Sequence, residues 1–393
     1  MKELSTNYEF IKKERVIYSI DNYLDLTANW VYFQMSGLVR YKPVVFCIST
    51  NNISNFPHEP IYSLSNLSPR QIIYNKALRR IKSSWCYPYH KKLISELAPL
   101  LIHSHFGMRG YADLELKEEY DIPLITSFYG IDATLIPKKD ARWLDRYAQL
   151  FGIGELFLVE APNMKKVLIQ LGCCPDKIKV QSLGIDTNKI RFQERKRKKD
   201  LLSILIASSF REKKGIPDSL EAIGRLRKDL GNFTVTIVGD VVNLPGSQDE
   251  KLRIHQTIDK YRLQNKILFK GFMDHASLID EAYQHDLFFA TSRTARSGDT
   301  EGGTNIVILE MAATGLPIMA TDHCDFRLTM GNENRKYLAE EGNVESIVEK
   351  FYMLLDSDWG LIGKENRSYV EDNYMLRKQV VKLENIYHSI ANE

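Results

Sequence analysis

The chain has 393 residues, 44% of them hydrophobic and 26% charged, and a formal net charge of +3. That length exceeds one ordinary core and predicts two domains of about 150–200 residues. The balance of charge gives no footing for a nucleic-acid partner, and no apolar run reaches the roughly 18 residues of a membrane span. The opening MKELSTNYEFIKKERVIYS carries acids and no apolar centre, so it does not read as a signal peptide. Five cysteines, with Cys173 and Cys174 adjacent, suit a reducing compartment such as the cytoplasm.

Short runs rich in Val, Ile and Phe alternate with helical patterns. KPVVFCIS (42–49), LLIHSHFG (100–107), PLITSFYG (123–130) and LFLVEA (156–161) predict buried strands, with helices over 108–120 and 138–152. The rhythm restarts in LLSILIAS (201–208), FTVTIVGD (233–240), KILFKGF (266–272), DLFFATS (286–292) and LPIMATD (316–322), with helices over 216–230 and 246–263. Such alternation predicts parallel sheets covered on both faces. The expectation is an α/β chain with two Rossmann-like domains, at 1–190 and 201–370. The basic run KIRFQERKRKKD (189–200) supplies a linker at 191–200, read as solvated, with a membrane-surface role as the alternative. Ligands of open parallel sheets lie beyond the carboxyl ends of the strands, which places the site in the cleft between the domains.

In IASSFREKKGIPDSLEAIGRL (206–226), Gly215 opens a helix beside Arg211, Lys213 and Lys214. A helix N-terminus flanked by cations suits a phosphate or diphosphate; a solvated basic loop is the plain alternative. In SGDTEGGTNIVILE (297–310), Gly302 and Gly303 let backbone approach a ligand. A helix is expected to start between Asn305 and Glu310, with Glu310 near its start in the cleft. Glu301 and Glu310 suit sugar or ribose hydroxyls, or else are a loop acid and a helix-start acid. His103 and His105 end their strand, are read as alternating in direction, and reach toward the cleft. No acid stands near them at ligand spacing, so no metal is expected. NKALRRIKSSWCYPYHKK (75–92) sets basic residues beside Trp85, Tyr87 and Tyr89, a combination for an anionic bilayer surface or for a solvated helix whose aromatics pack inward. Asp356 and Asp358 read as an exposed helix end.

EGGTNIVILEMAATGLPIMAT (301–321) resembles the signature of the retaining family 4, or group 1, glycosyltransferases of GT-B architecture: Glu, seven residues, Glu, a small-residue helix, then Gly-x-Pro and a strand. HSHFG, PLITSFYGIDAT, REKKGIPDSLEAI and APNMKKVLIQLGCCPDKIKVQSLGIDTNKIRF resemble further segments of exopolysaccharide and colanic-acid-type members, over roughly residues 100–350. The resemblance implies two Rossmann-like domains facing a cleft, and a C-terminal helix, 371–393, crossing back toward the first. It implies transfer of a sugar from a nucleoside-diphosphate sugar to a glycan or lipid-linked acceptor, with retention and no metal or other cofactor, in cell-surface polysaccharide synthesis. The leaving phosphate would accept the acceptor's proton. The expected place is the cytoplasm, at the inner face of the cell membrane.

By the same resemblance, Glu310 holds the donor ribose and Glu301 the donor sugar, Lys214 neutralises the diphosphate, and Tyr129 faces the reacting sugar. Glu301, Lys214, Arg211, Tyr129 and His105 are the catalytic candidates. Glu310, Gly302, Gly303, Thr304, Asn305, Lys214, Arg211 and Gly215 are the donor-binding ones. The chain departs from the pattern in three ways. Eight residues rather than seven separate Glu301 from Glu310, read as a loop one residue longer, the other register placing Gly302 at the first Glu. Ser209 stands where an Arg is usual, with Arg211 nearby. Tyr129 replaces a His. A non-catalytic subunit of the same fold and a nucleotide-sugar epimerase are the competing readings.

Overall fold

The protein is described here by a computed structural model covering residues 13–197 and 201–392. Two parallel sheets, of seven and five strands, organise it. Across the first sheet the strands run Ile61–Ser63, Tyr41–Cys47, Glu14–Ser19, Leu101–His105, Leu124–Phe128, Leu156–Val159 and Ile178–Val180. Across the second they run Ile267–Gly271, Phe233–Val238, Leu202–Ala207, Leu287–Ala290 and Ile318–Ala320. Helices cover both faces of each, and each face has its own apolar cluster. The expected α/β architecture of two facing parallel sheets is met.

Each sheet reverses its strand order beside its first strand. In the first the reversal lies between Glu14–Ser19 and Leu101–His105; in the second it lies between Leu202–Ala207 and Leu287–Ala290. Such switch points open a crevice at the carboxyl ends of the strands. The strand Glu14–Ser19 was not expected from sequence. It pairs on both sides, and Val16 to Ser19 are buried. Its apolar run is only Val16–Ile17–Tyr18, preceded by charged residues, too short to stand out.

The chain passes between the two units twice. At the crossing, Ile185 N donates to Tyr374 O (2.7 Å) and Leu376 N donates to Ile185 O (2.8 Å). The helix Leu376–Ala391 then lies on the first unit, where Val380, Leu383 and Tyr387 join Val16, Tyr18 and Met35 in one core. In the described part of the basic run, Arg191, Glu194, Lys196 and Arg197 are exposed, while Arg195 is anchored. Arg195 is buried and donates to the carbonyls of Ala282, His285 and Gln193, and Arg197 reaches Leu355 O and Asp356. Packing against the second unit satisfies these guanidiniums. Lys198–Asp200, the end of that run, and residues 1–12 of the opening lie outside the described residues. Asp358 caps the helix Trp359–Tyr374, as a helix-end acid should.

Candidate functional site

A cavity of about 520 Å³ opens between the units at the two switch points. Trp30, Phe106 and Tyr129 line it from the first unit; Arg211, Lys214, Glu301 and Asn305 line it from the second. Asn305 caps the helix Ile306–Thr314 by accepting from Val307 N (3.0 Å), so the first turn of that helix faces the cavity.

The basic turn and the glycine loop are tied together by ion pairs. Lys214 Nζ lies 2.8 and 2.9 Å from the two oxygens of Glu301. Ser292 donates to the same carboxylate at 2.8 Å and Asn305 at 3.5 Å. Burial opposes the charge on Glu301, but Lys214 and Lys213 hold its carboxyl well below the usual range. Arg211 pairs with Asp299. Lys213 is buried and donates to Thr300 O (2.6 Å) and Asp299 (3.4 Å), which pins the loop from beneath. Both lysines line the cavity, but Lys213 is the more buried and spends its donors on the loop, while Lys214 is the more exposed and pairs with Glu301.

Several expected site residues sit elsewhere. Gly215 does open the helix Ile216–Arg225, but it is buried and does not line the cavity. Its φ is +61°, and a Cβ there would stand 1.9 Å from Thr291 O, so glycine is required by that close approach. The helix start that meets the cavity is the one at Asn305. Gly302 and Gly303 press against the first unit rather than lining the cavity. A Cβ on Gly302 would lie 2.3 Å from Met164 Cε and 2.8 Å from Gly130 Cα; on Gly303, 3.3 Å from Ala161 Cβ. Asn163 donates to Gly302 O at 2.7 Å. Thr304 is buried behind the loop with an unpartnered hydroxyl.

Glu310 was expected near the helix start, in the cleft. The helix begins at Ile306, so Glu310 falls in its second turn, buried and outside the cavity lining. Its Oε1 accepts from His275 Nε2 (2.8 Å) and from Asn29 Nδ2 of the other unit (3.3 Å). Burial lowers and the Glu310 bond raises the His275 pKa, with a net rise.

His105 does not reach the cavity either. Residues two apart on a strand share a face, and His103 and His105 stack with ring centroids 4.4 Å apart. His105 is fully buried and shares a 2.6 Å hydrogen bond with Tyr129 Oη; burial keeps the imidazole neutral. It positions Tyr129. Burial likewise raises the Tyr129 pKa well above its ordinary value, so it stays a phenol. Asp132 anchors the same turn by accepting from Gly107 N (2.9 Å) and Tyr129 N (3.1 Å), with its carboxyl pushed up to about 6 by burial.

Sequence reasoning missed Asn29, His275, Asn163 and Glu160. Glu160 follows the strand Leu156–Val159 beneath Gly303; burial and the nearby Asp132 and Glu301 carboxylates raise its pKa well above the ordinary value. Only Glu160 had a local signal, an acid placed at the end of the apolar run LFLV.

The chain matches the family model described as Glycosyltransferase Family 4 over residues 41–189 and that described as Glycosyl transferases group 1 over residues 186–374. The amylovoran biosynthesis glycosyltransferase AmsK of Erwinia amylovora is 28% identical over 248 residues, which is 62% of this chain and 58% of that one. Among solved structures, a glycosyltransferase from Rickettsia africae has a TM-score of 0.72 at 17% identity, covering 96% of this chain and 99% of its own. Anabaena HepE in complex with UDP and glucose has a TM-score of 0.74 at 16% identity, covering 96% and 100%. These structural likenesses speak to the fold, and they take in both units together.

Proposed function

This chain belongs to the group 1 glycosyltransferases of GT-B architecture, and on that premise we propose that it moves a sugar from a nucleoside-diphosphate sugar to a hydroxyl of a glycan or lipid-linked acceptor, with retention. The observation that carries the proposal is Lys214 standing in the cleft opposite the helix start at Asn305, with Glu301 between them. Transfer from a diphosphate sugar needs stabilisation of the leaving group above all. A lysine charge and a helix N-terminus aimed at one cavity supply it without a metal. Glu301, already charged, accepts from a hydroxyl of the transferred sugar, and Tyr129, a phenol, donates or accepts at a hydroxyl but does not act as a base. The proton of the acceptor hydroxyl passes to the leaving diphosphate. Glu310 receives the ribose once Asn29 withdraws.

The names of HepE's ligands, UDP and glucose, support a nucleotide donor, and the amylovoran relative supports a role in assembling a cell-surface polysaccharide. We place the work in the cytoplasm, at the inner face of the cell membrane; all five cysteines are free thiols, which suits a reducing compartment. Incubation with a panel of nucleoside-diphosphate sugars, reading diphosphate release and the anomeric configuration of the product by NMR, tests the proposal. Release with an inverted product removes retention. Binding without release in the presence of polysaccharide acceptors favours a non-catalytic subunit, and no donor binding at all removes the enzyme reading.

A further inference from the structure

Residues 60–95 contain seven Lys and Arg and no Asp or Glu, in a chain whose whole net charge is only +3. Most of this stretch is the helix Pro69–Ile81 with its flanks. The helix starts just past the carboxyl end of the edge strand Ile61–Ser63, the end of the sheet on which the cleft opens. It carries a full capping box from Ser68 and Gln71. A single one of its residues, Asn75, is buried, held by Gln71 O and by Tyr89 N.

The opposite face is exposed and apolar. Ile73, Ala77 and Ile81 lie four residues apart on one stripe, with Ile73 68% and Ile81 77% exposed and Tyr74 beside them 61% exposed. Exposed Arg70, Lys76, Arg80 and Lys82 flank the stripe, and none has an ion-pair partner among the described residues. The rest of the segment follows the second of its two sequence readings, aromatics packed inward. Lys91 pairs with Glu115 and Glu119, and Lys92 lies 3.6 Å from Glu96. Tyr87 is buried under Arg79, and Trp85 packs with Tyr111, Trp143 and Arg146. Tyr87 is thus taken up by the protein, Trp85 keeps 40% exposure beside its packing partners, and the helix carries the most exposed apolar residues of the segment.

We infer that the helix Pro69–Ile81 lies flat on an anionic lipid bilayer, with Ile73, Ala77 and Ile81 entering the acyl boundary and the four unpaired cations meeting lipid phosphates. A helix with an apolar stripe between basic margins suits that interface, and each cation near an anionic surface adds attraction. Charge decides for lipid over a second copy of this chain, since two such helices face to face would bring eight unpaired cations together. The inference deepens the reading of a lipid-linked acceptor, because it sets the mouth of the cleft beside the membrane, but binding of lipid does not depend on catalysis.

The test is co-sedimentation of the full chain with phosphatidylcholine vesicles, with and without phosphatidylglycerol. The wild type should pellet only with the anionic vesicles at low salt and leave them as salt rises. Arg70, Lys76 and Arg80 all changed to Gln should weaken partitioning by about 100-fold, and the double change Ile73→Ser, Ile81→Ser should also release the protein. Both variants should keep the wild-type melting temperature and wild-type donor hydrolysis, which separates this inference from the proposed activity. Wild type remaining in the supernatant overturns the inference. So does sedimentation velocity showing a dimer that Ile73→Ser and Ile81→Ser dissolve.

Discussion

Asn29 and Glu310, 281 residues apart, meet across the cleft at 3.3 Å. The carboxylate proposed to hold the donor ribose is thus already engaged by the opposite unit, with His275 as its second partner. Closure without donor and binding of donor therefore compete for one acceptor. Replacing Asn29 with Ala should tighten binding of the bare nucleoside diphosphate by up to about tenfold, the upper end for one bond to a charged group partly offset by water. Calorimetric titration decides it; weaker binding by the variant would mean that Asn29 holds the nucleotide instead of excluding it.

His275 makes the same contact sensitive to pH. Its folded pKa is raised above the ordinary value of about 6.5 by Glu310. A raised pKa contributes stability that is complete below the unfolded value and is lost as pH rises through the folded one. The melting temperature of wild type should therefore exceed that of His275→Gln most at acid pH, and the gap should shrink as the pH passes upward through neutrality. A gap independent of pH would show that the imidazole is uncharged in the pair.

The two adjacent lysines should separate cleanly. Lys213→Ala removes one partner of a buried pair and leaves Asp299 and Thr300 O short of a donor, so it should cost about 3–5 kcal/mol of stability. Lys214→Ala takes the main partner from the buried Glu301 carboxylate and should also lower the melting temperature, but unlike Lys213→Ala it should weaken donor binding by about 1.5–3 kcal/mol, or roughly 10–150-fold. Equal effects of the two on donor affinity would place the diphosphate elsewhere.

Glu301 and Glu310 should differ in kind. Glu301→Gln removes the charge that occupies Lys214 and a contact to the transferred sugar. It should lower turnover while leaving affinity for the bare nucleoside diphosphate unchanged or slightly higher. Glu310→Ala should weaken that affinity. Loss of bare diphosphate binding in Glu301→Gln would reverse the assignment.

Gly302 tests the register of the loop. With φ at +85° and Met164 and Gly130 against it, it has no room for a side chain. Gly302→Glu should lower both activity and melting temperature. A gain in activity would mean that the first acid of the signature belongs at this position.

The sheets were legible because most of their central strands are continuous apolar runs buried on both faces, and such runs survive any packing detail. Glu14–Ser19, with three apolar residues, was not, although it is central. Lys214 and Glu301 were both singled out, but their pairing depends on a loop that returns 87 residues later. His103 and His105 were misjudged on direction, since a pleat repeats every two residues. Asn29 and Asn163 carried no sign at all. Each acts only across the cleft, and contacts between units follow from how two finished surfaces meet rather than from a periodicity along either.

The helix Leu376–Ala391 has a consequence for how the molecule is made. It closes the apolar face of the first sheet, and Tyr387 bonds Tyr18 and His103 there, two residues from the histidine that steadies Tyr129 on the same strand face. A ribosome delivers residues 376–391, which pack on the first unit, only after the whole of the second sheet. The first unit is therefore sealed only after the second has been made, and a nascent chain halted anywhere before residue 376 holds an open core beneath the candidate site. No single scission in the sequence yields the two halves as separate, finished bodies.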